Sequence, residues 1–209
     1  MSETPPMLII VSGLPATGKT TLARRIAAHF AFPLIHKDTI KEALCDVPGC
    51  ADLEESRRLG LASMVLLYQF AEAILRAGHS CIIENYFRPE FATSDLFSLR
   101  QRCPFIPLQI YCHTSTSLIL ERYQQRFESG ERYPGHMDQE HLQAMRATLA
   151  VQSEQQPLAI GGHLIELDTT DFSAIDYKEL FARVRGLLAG EISRGAQPVT
   201  GNEIKSSGT

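Results

Sequence analysis

The chain has no tryptophan, few aromatics (8 %), no excess of basic charge and no long uninterrupted apolar run. With 20 Lys and Arg against 24 Asp and Glu, its formal charge is −4. That balance gives no general attraction to nucleic acid or to an anionic membrane, although a local basic site is compatible with it. The first residues, Met1-Ser2-Glu3-Thr4-Pro5-Pro6, place no basic stretch before an apolar one, which argues against a secretory signal. The longest mostly apolar stretch, Leu61 to Leu75, is interrupted by Ser63, Gln69 and Glu72. It is too short and too polar for a bilayer span and reads as a well-buried helix. The five cysteines (Cys45, Cys50, Cys81, Cys103, Cys112) are odd in number and contain no C-x-x-C pair. They point to a reducing, cytoplasmic compartment and to no metal site, with His79 and His113 read as strand residues beside Cys81 and Cys112.

What remains is an ordinary globular composition: 209 residues, 44 % hydrophobic and 21 % charged. That length suits one domain with a proper core, and no internal repeat is visible. Short β-type runs (Met7–Val11, Pro33–His36, Cys81–Glu84, Ile106–Tyr111, His163–Leu167) alternate with amphipathic segments. The segments are Thr20–Phe30, Thr39–Cys45, Arg57–Ala77, Pro89–Gln101, Ser115–Glu128, Gln139–Gln156 and Ala174–Leu188. Such alternation predicts an α/β fold with a mainly parallel sheet. The expected organisation is a flexible N-terminus over 1–6, one domain over 7–189, and a disordered Gly/Ser/Thr-rich tail over 190–209.

Directly after the first strand stands Gly13-Leu14-Pro15-Ala16-Thr17-Gly18-Lys19-Thr20, a complete G-x-x-x-x-G-K-[ST] motif, with Thr21 following. The glycines allow a tight turn whose N–H groups converge on one anion. Lys19 can reach the β- and γ-phosphates, Thr20 can coordinate Mg²⁺, and the following helix turns its positive end to the phosphates. A strand before the motif and an amphipathic helix after it supply the required context, so Gly13–Thr21 is a nucleotide site.

The second strand leads into His36-Lys37-Asp38-Thr39-Ile40-Lys41-Glu42. Thr39 and Glu42 form a T-x-x-E capping box, which leaves Asp38 one residue outside the helix. A carboxylate there, facing the phosphate loop, can accept a proton from an attacking hydroxyl. Lys41 could hold an anionic part of the acceptor, or be a solvated lysine. The third strand ends in Glu84-Asn85, where the acid could bind Mg²⁺ through water or orient the acceptor. Downstream, Arg122 and Arg126 share a helix face at i,i+4 with no acid three or four positions away, so an anion between them would relieve the repulsion. With Arg132, in the Gly- and Pro-bounded Glu131-Arg132-Tyr133-Pro134-Gly135-His136, they suit a closing lid that neutralises a transferred phosphoryl group.

These stretches (G-L-P-A-T-G-K-T-T, H-K-D-T-I-K-E-A-L, C-I-I-E-N-Y-F-R and R-x-x-x-R-x-x-x-x-x-R-Y-P-G-H) resemble the P-loop kinase family. That family includes polynucleotide 5′-hydroxyl kinase, zeta toxins and chloramphenicol phosphotransferase, and the resemblance runs from about Met7 to Leu188. It is strongest to an uncharacterised bacterial branch of ATP-binding proteins. It implies a P-loop NTPase fold with a five-stranded parallel sheet in the order 2-3-1-4-5, flanked by helices and carrying an Arg-bearing lid. It further implies ATP and Mg²⁺ as cofactors, Asp38 as the general base and Lys41 as the acceptor-binding cation. Arg126 would be the lid arginine at the transferred phosphate, Arg122 would lie nearer the nucleotide, and Asp168-Thr169-Thr170 would lie near the adenine. Polynucleotide kinases carry Asp where Glu84-Asn85 stands, so the acceptor pocket differs here.

The leading expectation is an ATP-dependent kinase acting on the hydroxyl of a small molecule, with Lys19, Asp38 and Arg126 catalytic and Thr20 and Glu84 at the metal. Lys41, Glu84, Asn85 and Arg132 would bind substrate. A polynucleotide 5′-hydroxyl kinase is disfavoured by the net acidity and the lack of a basic stripe interleaved with aromatics. An ATP-binding switch with little transfer activity would have no use for Asp38 and the lid arginines. The acceptor pocket is expected in the segments Asp46–Arg58 and Asn85–Ser94.

Overall fold

A computed structural model describes residues 5–47, 49–129, 133, 136 and 156–190. Five strands form one wholly parallel sheet: β1 (Met7–Ser12), β2 (Leu34–His36), β3 (Cys81–Glu84), β4 (Ile106–His113) and β5 (His163–Asp168). Their order across the sheet is β2-β3-β1-β4-β5, as the resemblance implies. Among the described residues six helices flank the sheet: α1 (Lys19–Phe30), α2 (Lys37–Asp46), α3 (Leu53–Arg76), α4 (Pro89–Arg102), α5 (Thr116–Glu128) and α6 (Tyr177–Leu188). The expected helix over 139–156 and the expected tail from 191 onward fall outside the described residues.

All six residues of β1 are buried, because the sheet is covered on both faces and its central strand has no polar side. Alternation divides them. Leu8 and Ile10 join Ile83 in a core closed by Leu67, Ala71 and Leu75 of α3 and Leu96 and Leu99 of α4. Met7, Ile9 and Val11 join Ile82, Leu108 and Ile110 under Leu22 and Ile26 of α1 and Leu180 and Val184 of α6. Since every strand runs the same way, the ends at Ser12, His36, Glu84, His113 and Asp168 open along one edge of the sheet. In open α/β sheets that edge is where ligands bind.

Two expectations are corrected. Helix α2 begins at Lys37, so Asp38 lies in its first turn and not outside it. The capping box is not formed: His36 is the N-cap without a side-chain cap bond, Thr39 pairs with the His36 ring, and Glu42 pairs with His136. Helix α3 is also not buried all round. By length and composition it could cross a membrane, and only part of it is buried. Leu67, Ala71 and Leu75 face the sheet, while Leu61, Val65 and Phe70 are exposed. Asp52 caps it by accepting from the Glu55 N–H at 2.8 Å, and Arg76 pairs with Glu72 in its last turn.

This division of α3 and the enclosure of α1 are measurable. Truncating Leu22, which is 0 % exposed, to Ala is expected to cost about 2–5 kcal/mol by urea denaturation, for lost transfer energy and the residual cavity. Leu61→Ala, at a position 71 % exposed, is expected to stay within about 0.5 kcal/mol of the parent.

Candidate functional site

The phosphate loop is tied together from within. The Leu14 carbonyl accepts from Lys19 Nζ at 2.7 Å and from Thr17 Oγ1 at 2.8 Å. Gly13 (φ 135°) lies so close to β4 that a Cβ would come 2.1 Å from the Cys112 carbonyl oxygen, and Gly18 (φ 80°) is the N-cap of α1. No side-chain cap engages the first turn of α1, and that turn contains no acid. Helices α3 and α6, by contrast, are each capped by an Asp side chain and carry an acid in the first turn. The N-terminal N–H groups of α1 are thus left to an anion.

Lys19 is 7 % exposed. Burial pushes its ammonium below the usual lysine range, opposed by the neighbouring Glu84, Cys112 and Asp38 and reinforced by Arg126. Lys19 therefore lies in the field of three of the predicted site residues, contributed by β3, α2 and α5. Glu84, at the end of β3, is 2 % exposed. Its Oε2 accepts from Thr20 Oγ1 at 3.0 Å and lies 2.5 Å from His36 Nε2. Because the Thr20 hydroxyl spends its proton on Glu84, its lone pairs remain for a cation, and Thr20 and Glu84 together fit a Mg²⁺ carried in with a nucleotide.

Asp38 stands in the first turn of α2 with Lys37 Nζ 3.3 Å from its Oδ1. Lys41, one turn on, is buried and donates to Ser56 Oγ of α3 at 2.6 Å. Burial and then the nearby Lys37 lower its pKa, partly offset by Cys45, Cys50 and Asp38. The expected alternative of an ordinary solvated lysine is thereby excluded. Asn85 does not join the cluster. Its amide donates to Met64 Sδ of α3 at 3.0 Å.

The two arginines of α5 separate. Arg122 donates to the carbonyls of Thr169 and Thr170 at 3.0 and 2.9 Å and lies over the Phe172 ring at 5.2 Å. The Arg122 Nη1 atom is buried and has no hydrogen-bond partner among the described residues. Arg126 is exposed and acts on Lys19. Beyond α5, Tyr133 donates to Asp46 Oδ1 at 2.5 Å and His136 Nε2 lies 3.0 Å from Glu42 Oε1, so both residues rest on α2. Arg132 lies outside the described residues. Two site residues were missed by sequence reasoning. His36 could have been noticed as a polar strand end two residues before Asp38. Phe172, whose ring tip covers Gly18, gave no local signal.

A family model described as an AAA domain (AAA_33) matches residues 8–151, well over half of the chain. The chain belongs to the AAA domain family. Its membership carries the P-loop kinase fold, in agreement with the resemblance read from the motifs. A presumed kinase from Chloroflexus aurantiacus is 38 % identical, with a TM-score of 0.79 over 87 % of this chain and 98 % of that one. Two more distant structures share the fold. A sugar kinase from Janibacter sp. is 19 % identical (TM-score 0.54, over 88 % of this chain and 95 % of that one). A gluconokinase from Sinorhizobium meliloti is 16 % identical (TM-score 0.50, over 90 % and 97 %). No curated protein matches the chain.

A desolvated Lys19 makes a prediction for this AAA domain. Its lowered pKa means that the lysine loses its proton earlier than usual as pH rises, and a phosphate anion beside it restores the proton. Nucleotide binding at alkaline pH is therefore expected to take up protons. Calorimetry in buffers of different ionisation enthalpy measures the uptake, and Lys19→Met is expected to abolish it.

Proposed function

We propose that the chain is an ATP-dependent kinase that transfers the γ-phosphoryl group to a hydroxyl of a small-molecule acceptor. The observation that carries this reading is the convergence on Lys19. Glu84, Asp38 and Arg126, from three separate elements, all act on one buried ammonium at the base of a phosphate loop.

In this reading the elements of the edge divide the labour. The N–H groups of the loop and of the start of α1 hold the β-phosphate, and Lys19 moves from the Leu14 carbonyl to the β- and γ-phosphates. Thr20 and Glu84 would hold Mg²⁺, which supplies charge neutralisation on the phosphates. Asp38 accepts the acceptor's hydroxyl proton as that oxygen bonds to the γ-phosphorus. The bond from the γ-phosphorus to the β-γ bridging oxygen breaks, and ADP leaves with its electron pair. Arg126 and Lys19 stabilise the charge spread over the transferred group, and Lys41 offers a buried cation beside the acceptor.

A small acceptor fits the charge pattern better than a polynucleotide does. The cations named here gather at one cleft of a protein whose formal charge is −4, with no basic track leading away in the sequence. Five free thiols, four of them buried, suit a cytoplasmic setting.

Asp38→Asn tests the reading. It keeps the shape of the side chain and removes the base, so transfer is expected to fall about 10²–10⁴-fold while ATP affinity changes little. Turnover equal to that of the parent, measured as ADP formed across a panel of sugars, sugar acids, aminoglycosides and nucleosides, would remove Asp38 as the base.

A further inference from the structure

His36 has no part in the transfer just described, yet it joins three of the groups around the phosphate loop. Its Nε2 lies 2.5 Å from Glu84 Oε2 and 3.4 Å from Thr20 Oγ1, and its Nδ1 lies 3.0 Å from Thr39 Oγ1. The position is set by the sheet, where His36 is the register partner of Glu84 across β2 and β3. A ring nitrogen this close to a carboxylate oxygen carries the proton between them, so Nε2–H is the donor to Glu84. In the neutral ring Nδ1 then accepts the Thr39 hydroxyl proton. Both nitrogens are committed, and they join different elements: the end of β3 and the first turn of α2, one residue beyond Asp38.

The hydrogen bonds to Glu84 have one further regularity. His36 and Thr20 both donate to Oε2, and among the described residues Oε1 receives none. Two donors on one oxygen fix the rotation of a buried carboxylate and leave its other oxygen for a ligand. The same arrangement keeps the Thr20 hydroxyl directed at Glu84 with its lone pairs unspent.

We propose that His36 is the positioning residue of this site. It holds Glu84 by Oε2, so that Oε1 and the Thr20 lone pairs stay available to the nucleotide-bound cation or its water. Through Thr39 it ties that setting to the turn that presents Asp38. The inference rests on the assignment of Thr20 and Glu84 to the metal side of a kinase. It predicts that His36 governs cation dependence without touching the nucleotide.

The test is calorimetric binding of a non-hydrolysable ATP analogue as a function of Mg²⁺, and again in EDTA, with the thermal midpoint of each variant recorded. His36→Ala is expected to raise the Mg²⁺ concentration at half-saturation about 10–100-fold, the usual effect of removing a partner behind a metal ligand. Binding in EDTA is expected to stay within about twofold of the parent by the same reasoning. His36→Gln, whose amide can still donate to Glu84, should recover part of the cation dependence. Thr39→Val, which leaves the Glu84 bond in place, should shift it less and in the same direction. A folded His36→Ala protein with the parent's Mg²⁺ dependence overturns the proposal. So does equal impairment of the Ala and Gln variants with lowered thermal midpoints, which would make His36 a packing residue. If His36→Ala does not fold, Thr39→Val decides, and an unshifted Mg²⁺ dependence is the overturning result. A parent protein that binds no analogue under any condition overturns the kinase reading instead, so the two failures are distinguishable.

Discussion

Lys19 keeps a cation at the closed end of the phosphate loop, 7 % exposed and hydrogen-bonded to a backbone carbonyl. Holding an ammonium there costs solvation, and the surrounding structure offsets the cost only in part. Glu84 and Asp38 favour the charge, Arg126 opposes it, and burial prevails. No salt bridge to Lys19 exists among the described residues. A buried cation left short of counter-charge attracts an anion, and the uncapped start of α1 directs its N–H groups to the same place. Phosphate binding is therefore the state in which the electrostatics of this edge are balanced.

The parallel sheet turns that local demand into a site. Each strand ends at the same edge, and four of the five endings lead into the proposed site: Ser12 runs into the loop, His36 into the turn of Asp38, Glu84 closes β3, and Asp168 precedes the Thr169 and Thr170 carbonyls that anchor Arg122. Cores on both faces fix the strands, so the side chains at the edge are held by packing that they do not themselves provide. Tyr133 and His136 rest on α2, the helix that also carries Asp38 and Lys41. Helix α2 thus supports Tyr133 and His136 as well as the residues proposed to face the acceptor.

Much of this was legible in the residues. The strand pattern predicted all five strands to within two residues at each end, because fully buried parallel strands leave continuous apolar runs such as Leu8-Ile9-Ile10-Val11. The phosphate loop is a local motif and needed no tertiary information. Where the reading failed, distant parts of the chain decided. The start of α2 moved to Lys37 because Thr39 and Glu42, which could have capped it, are engaged by His36 and His136. Exposure of Leu61 and Val65 on α3 was hidden because apolar composition does not say which face meets the sheet. Asn85 looked like part of the site by its neighbour Glu84, yet Met64, 21 residues away, claims its amide. His36 and Phe172 acquire meaning only from the fold, which brings one to Glu84 and the other onto Gly18.

We propose that the edge of this sheet moves a phosphoryl group from ATP to an alcohol. The most direct measurement is ³¹P NMR of the purified protein with Mg·ATP and a panel of hydroxyl compounds. The γ-phosphorus signal of ATP is expected to be replaced by that of a phosphate monoester on one class of acceptor, in step with the appearance of ADP. ADP accompanied only by inorganic phosphate, whatever acceptor is present, would contradict it.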